Sequence, residues 1–415
     1  VGAETGLGIL GAVTGVGGVY FGWRALDKDA VEKSQAAFRK GREDLRERFV
    51  QLCETAADLH TAARPGLERI GGTSLLWEPA MHPPAPLPLS SVRTEWQATA
   101  PPGDAGIRRA ARQGLPRESR WQRFESYSSA LGVLARPALF ENRPSFRLMA
   151  ADWQAAGGPL LSFSRAPYFD LVDQKEAVAH ELARATRAAP HRIPAWRQAP
   201  LRRLMADDPL SLTRRVVLPS VGTLTVRRTP DGNGTFFLLL RGKGLVATGE
   251  GTYGPLPAGM FQPASLSPLA HREDLDLWRT IMREYNEEFL GAPDAIGDSG
   301  SQVDYSQPPY NRMNAALADG SLRVWCLGMG LEPLNLAVCI LTVAVFDADV
   351  FDTIFARAVE HNDEGKVVGG LRSQGTITGL PLTAESIADL PKERMSSPAA
   401  GLLQLAVQHR ALLLA

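Results

Sequence analysis

Cysteine is the first scarcity. The 415 residues contain only Cys53, Cys326 and Cys339, an odd number, far apart and without a C-x-x-C pair. That excludes a disulfide framework or a zinc knuckle and fits a reducing compartment. Charge of one sign is also lacking: 45 basic residues face 45 acidic ones. No global field draws the chain to nucleic acid, so no nucleic-acid partner is expected and any anionic ligand must be held by a local site. Internal repeats are absent. A zinc-protease motif is absent too, because His180-Glu181 is followed by Arg184 where a second histidine would have to stand. Apolar residues are not scarce. At 44% of the chain they suffice for one large or two medium domains with proper cores, which excludes a disordered protein. Asn233-Gly234-Thr235 has the form of a glycosylation sequon, but it lies in a Pro-Asp-Gly-Asn-Gly turn, where such residues serve the backbone.

No charged residue occurs from Thr5 to Trp23. As a helix rising about 1.5 Å per residue, this stretch approaches the roughly 30 Å hydrocarbon thickness of a bilayer. Gly11/Gly15 and Gly18/Gly22 repeat the small-xxx-small spacing that lets membrane helices approach closely, and Tyr20 and Trp23 would sit at one interface. Glu4 precedes the apolar run, while Arg24, Lys28, Lys33, Arg39, Lys40 and Arg42 follow it. That asymmetry predicts a single-pass membrane protein, spanning over 5–23, with its C-terminal side in the cytoplasm. The bland reading is a Gly-rich buried helix or a leader.

Residues 27–70 are rich in Ala, Glu, Lys, Arg and Leu, with Phe38, Leu45, Phe49, Leu52, Ala56 and Leu59 near helical spacing. This predicts a helical stalk, which either packs on its own protein or pairs with a second copy as a homo-oligomer. Residues 77–104 carry seven prolines and read as an extended linker. Residues 105–210 read as a mostly helical accessory region, with a helix over 172–186 and a locally basic stretch, Arg108 to Arg123, beside Trp121. Such a stretch could meet lipid headgroups or nucleic acid but is more simply a solvated helix face. Beyond Ser211 the texture changes. Val216-Val217-Leu218, Thr223 to Arg227, Thr235 to Arg241, Leu322 to Gly328 and Ala337 to Phe346 read as strands, flanking helices at Leu277 to Leu290 and Ala348 to His361. The pattern predicts an α+β sandwich, a mixed sheet with flanking helices over 211–415.

On the helix Leu277 to Leu290, Leu277, Ile281, Tyr285 and Phe289 form one apolar stripe four residues apart. Glu284, Glu287 and Glu288, spaced by three and four, would crowd an adjoining face. Crowded like charges are destabilising unless a cation joins them, and magnesium, which prefers oxygen ligands and bridges phosphates, suits that place. Arg283 could pair with Glu287 and hold it. The plain alternative is a surface ion pair among solvated acids.

Arg283-Glu284-Tyr285-Asn286-Glu287-Glu288 resembles the second half of the Nudix box, R-E, an apolar residue, any residue, E-E. Gly254-Pro255-Leu256-Pro257-Ala258-Gly259 resembles the loop preceding that helix in the family. Three positions depart from the pattern: Gly291 follows one place later than the box asks, Gly259 lies too far before Arg283, and Leu275 stands where a glutamate is expected. The resemblance implies that Arg283, Glu284, Glu287 and Glu288 are catalytic, with the three glutamates binding magnesium or manganese. It further implies that the substrate is a nucleoside diphosphate linked to another group. A catalytic base would come from Glu250, Asp304, Glu332 or Asp347, and Arg241 and Lys243 could meet phosphate. From Ala138 onward the chain also resembles the Nudix-like C-terminal region of some bacterial helix-turn-helix regulators, which implies ligand sensing. The expectation is therefore a membrane-tethered Nudix-type hydrolase, with a catalytically impaired nucleotide sensor or signalling module as the alternative and a protein-interaction scaffold as a third.

Overall fold

The computed structural model describes residues 29–138, 140–242, 249–293, 303–362, 365–369, 372–373, 376–377 and 379–415. The apolar segment 5–23 lies outside them. Among the described residues no helix is long and apolar enough to cross a membrane.

The protein is mixed α/β. Its centre is a pair of parallel strands, Ser220–Arg228 and Val338–Asp347, in register from Ser220 opposite Cys339 to Arg228 opposite Asp347. Leu322–Leu331 pairs antiparallel on the far side of Val338–Asp347. Gly234–Phe236 and Ala258–Met260 pair antiparallel along the free edge of Ser220–Arg228. The sheet is mixed, and the central strands are buried on both faces. Val338, Ile340, Ala344 and Phe346 join one core, and Cys339, Leu341, Val343 and Val345 the other, as the two-residue period of a strand requires. The helix Leu277–Glu284 covers the first face, with Leu277, Ile281, Tyr285 and Phe289 buried in that core. The helix Ser397–Gln408 covers the second face with Leu402, Leu403, Leu405 and Ala406.

The run Thr235 to Arg241 does not act as one strand. Gly234–Phe236 stays in the main sheet, while Leu238–Arg241 pairs with Tyr253–Pro255 and Gly365–Val368 in a second sheet. Val216-Val217-Leu218 lies before the strand, buried but unpaired in any ladder of the described residues.

The Pro-rich stretch is extended, as proline dictates, and it runs along the body of the protein. Leu76–Trp77 and Leu87–Pro88 pair with Leu322–Leu331, and Arg93–Trp96 runs parallel to Leu160–Pro167 in a third sheet completed by Pro144–Asp152. The helices over 29–47 and Phe49–Ala63 also lie on the body, so the apolar positions of the expected stalk are covered by this chain itself. Leu45, Phe49, Leu52, Ala56 and Leu59 share a core with Ala179, Leu182 and Ala183 of the helix Tyr168–Ala185. A buried network joins the two elements: Arg42 meets Glu176 at 2.6 Å, and the Tyr127 hydroxyl meets His180 Nδ1 at 2.8 Å and Arg42 at 3.3 Å.

Candidate functional site

A cavity of about 370 Å³ opens where the Tyr168–Ala185 helix, the Ala258–Met260 strand, the carboxylate helix and the turn after Leu331 meet. Its size falls within the roughly 300–1,000 Å³ of small-molecule sites. Lys175, Arg241, Arg143, Glu284, Glu287 and Glu332 are the charged groups that line it, together with Glu141.

Asp276 starts the carboxylate helix by accepting from the Trp278 and Arg279 amides at 2.7 and 3.3 Å, a capping arrangement that satisfies otherwise orphaned donors. After Glu284 the helix widens into a π turn, Tyr285–Phe289. Hydrogen bonding to the fifth residue instead of the fourth alters the angular step, so spacings of three and four no longer bring all three carboxylates onto one face. Glu288 turns inward: it is buried, and its Oε2 accepts from the Ala258 amide at 3.2 Å. Glu284 lies across Gly259, where an added Cβ would stand only 1.8 Å from Oε1. Glu284 and Glu287 reach the cavity lining. Among the described residues no group of three or more His, Cys, Asp or Glu side chains is arranged to hold a metal ion.

Arg283 does not reach Glu287 as the four-residue spacing allowed. It is buried and turned the other way, donating to Tyr305 at 2.7 Å, to the Gln262 carbonyl at 2.7 Å and to Thr280 at 3.2 Å, and lying 3.3 Å from Asp274. Tyr305 in turn donates to Asp274, whose second oxygen accepts from the Ala264 amide. The guanidinium therefore fastens the connection 262–274 to the helix.

Of the four carboxylates considered as a base, only Glu332 lines the cavity. Glu250 faces Arg46 at 3.7 Å, Asp304 binds the Ser306 amide and hydroxyl, and Asp347 pairs with Arg228. Burial pushes the Glu332 carboxyl above its ordinary range, while hydrogen bonds from Cys53 and Ser397 and the charges of Arg241 and Lys175 pull it back. Of the two cations the sequence offered for phosphate, Arg241 is in the lining and Lys243 lies outside the described residues.

Lys175 was not singled out by the sequence. Burial presses its pKa down, but Tyr168 and Glu176 outweigh that and hold it above the ordinary value. Its hydrogen bond to Tyr168 is long, 3.4 Å, and Glu176 stands 3.9 Å away, with that carboxylate already taken by Arg42 at 2.6 Å. The Arg241 side chain makes no hydrogen bond among the described residues, and its Nε is buried. Arg143 is held by Glu141 at 2.7 Å. Lys175 and Arg241 thus form a cationic wall in the cavity that Glu284 and Glu287 also line. Such a wall can hold an anion, and two carboxylates with phosphate oxygens between them can hold a hard divalent cation.

No family model and no curated protein matches the chain.

Proposed function

We propose that the protein is a Nudix-like module that binds a phosphate-bearing, nucleotide-like small molecule in this cavity, with magnesium or manganese joining the phosphates to Glu284 and Glu287. The observation that carries the reading is the presence, in one cavity of ligand size, of two helix carboxylates and two lightly engaged cations, Lys175 and Arg241. The mixed sheet with flanking helices and the placement of the carboxylate helix beside Ala258-Gly259 support the Nudix-like assignment. Two carboxylates suit a magnesium ion that takes its remaining ligands from water and substrate phosphate. Metal retention therefore depends on the ligand.

Binding rather than turnover is the favoured role. Glu288 is occupied by a backbone amide, Arg283 by Asp274 and Tyr305, and Leu275 replaces the upstream glutamate. Hydrolysis is the second reading, favoured by Glu287 and Glu332 sharing the cavity. A divalent ion there would polarise a diphosphate, with the protein contributing position and charge. The apolar segment 5–23 would tether either activity to a membrane with this domain in the cytoplasm.

Calorimetry of the full chain with ADP, ADP-ribose and UDP-glucose, with and without magnesium, tests the proposal. Magnesium-dependent binding that weakens about 10- to 100-fold in Lys175→Met, the loss expected of one charge-assisted hydrogen bond, would support it. Absence of binding by every compound would refute it. Product formation lost in Glu287→Gln would establish the hydrolase instead.

A further inference from the structure

The connection between the strands Leu322–Leu331 and Val338–Asp347 is more elaborately held than a hairpin turn needs. Within it the Glu332 amide donates to the Ala337 carbonyl, the Leu336 amide to the Glu332 carbonyl and the Ala337 amide to Asn335 Oδ1, each at 2.8 Å. Leu336 has φ of +58°, a left-handed conformation that a leucine rarely adopts. Two fully buried arginines clamp the turn from outside. Arg202 donates to the carbonyls of Pro333 at 2.7 Å and of Leu334, and Arg215 donates to that of Leu336. Neither has an ion-pair partner among the described residues, and burial lowers each guanidinium to about 10. Desolvated cations and a strained leucine are costly features for a loop that only joins two strands, and they fix side-chain positions closely.

The side chains so fixed are Glu332 and Asn335, and both line the cavity. Glu332 is 8% exposed. Its Oε1 accepts from Cys53 Sγ at 3.0 Å and Ser397 Oγ at 3.1 Å, while Oε2 takes no hydrogen bond among the described residues. Glu332 is thus nine-tenths buried with one oxygen engaged by the protein and the second able to accept from a group in the cavity it lines. Asn335 Oδ1 is used by Ala337, which leaves its amide nitrogen as the group able to donate. Glu332 also lies close enough to Arg241 and Lys175 for their charges to act on it, so the group it meets adjoins the anion wall.

We propose that Glu332 and Asn335 recognise the vicinal hydroxyls of a ribose whose phosphates rest on Lys175 and Arg241. One hydroxyl donates to Glu332 Oε2 and the other accepts from Asn335 Nδ2, a match that a hydroxyl, both donor and acceptor, can make. In a nucleotide the sugar is the part next to the phosphates, which places it at this turn and the base beyond. This rests on the nucleotide-binding reading above and narrows it to ribonucleotides.

Calorimetry with magnesium and three probes, ADP, 2′-deoxy-ADP and pyrophosphate, tests it on the full chain. Wild type should bind ADP about 10-fold more tightly than the deoxy compound, the effect of one buried hydrogen bond. Glu332→Gln keeps an oxygen for Cys53 and Ser397, and Asn335→Asp keeps the bond to Ala337. The variant at the residue that meets the 2′-hydroxyl should shrink that preference to about threefold or less, and the other should weaken ADP and 2′-deoxy-ADP alike, while both still bind pyrophosphate and unfolding midpoints confirm intact protein. Pyrophosphate binding without discrimination between ADP and its deoxy analogue, or discrimination unchanged in both variants, overturns the inference and leaves the nucleotide-binding reading standing. If none of the probes binds, that reading falls and this inference with it.

Discussion

Replacing Gly41 with alanine sets two effects of opposite sign against each other. Gly41 lies inside the helix over 29–47, where alanine normally stabilises by about 1 kcal/mol. Here, however, an added Cβ would stand 1.9 Å from His180 Nε2, 2.6 Å from Cδ2 and 2.8 Å from Cε1. Restoring an ordinary contact of 3.4 Å requires the helices to part by about 1.5 Å at this point. The ring cannot yield instead, because His180 is buried and held by Tyr127 at 2.8 Å. Overpacking costs about 1–3 kcal/mol, and stretching the Arg42–Glu176 and Tyr127–His180 bonds roughly 1–3 more. After subtracting the helical gain, Gly41→Ala should destabilise by about 3 kcal/mol. Urea unfolding followed by circular dichroism measures this as a lower midpoint at constant slope. In a His180→Ala background the same substitution should cost little, since the obstructing ring is gone. A Gly41→Ala protein that is unchanged or more stable would refute the close approach of the two helices.

Acidification should weaken the fold below neutral pH. Burial holds His180 at about 3, with Arg42 adding to the effect, and burial together with Arg202 and Arg215 holds His60 well below its ordinary value. Unfolded histidines take protons near pH 6.5, so between these limits the unfolded state binds more protons and stability falls as the pH falls, by at most about 1.4 kcal/mol per unit for each histidine. Equilibrium unfolding at pH 7.5 and 5.5 checks this, and His180→Gln should remove part of the slope; a flat profile contradicts it. Arg283→Met should destabilise by about 3–5 kcal/mol by stranding Asp274 in the interior; unaltered urea unfolding with weakened ligand binding would return Arg283 to the site. Gly259→Ala should swing Glu284 away at a stability cost under about 1.5 kcal/mol, while reducing the magnesium dependence of ligand binding in calorimetry; retained dependence would remove Glu284 from the metal's ligands.

The regular parts of the fold were legible because their periods are local. The stripe Leu277, Ile281, Tyr285, Phe289 is buried as its spacing requires, the run Leu322 to Gly328 lies within a long central strand, and the run Ala337 to Phe346 becomes another that starts one residue later, at Val338. The helix expected over 172–186 begins earlier, at Tyr168, directly after Pro167. What the sequence could not disclose depends on distant partners. Nothing local marks Lys175 as a cavity residue, because Arg241, Glu284 and Glu332 reach it from segments far along the chain. Arg42 and Glu176 share a buried ion pair across 134 residues. Arg283 was assigned by helical spacing to Glu287, yet Asp274 and Tyr305 hold it. A neighbour at four residues offers only partial desolvation, whereas the buried acid and phenol give the guanidinium three-dimensional coverage.

The π turn has a thermodynamic consequence for the proposed site. Had all three glutamates projected together, their mutual repulsion would itself favour a cation and the metal could be held without a ligand. With Glu288 drawn to the Ala258 amide, Glu284 and Glu287 remain at the cavity, and phosphate oxygens must supply much of the remaining coordination. Metal and ligand then bind as linked events, and linkage is reciprocal: the factor by which magnesium tightens the ligand equals the factor by which the ligand tightens magnesium. In the proposed arrangement Lys175 would meet the phosphate and not the metal. Lys175→Met should accordingly weaken magnesium binding only when nucleotide is present, and titrations of magnesium with and without ADP measure that difference. Equal magnesium affinity in the two titrations would mean that the carboxylates bind the ion by themselves, and the coupling between the cationic wall and the carboxylate helix would be lost.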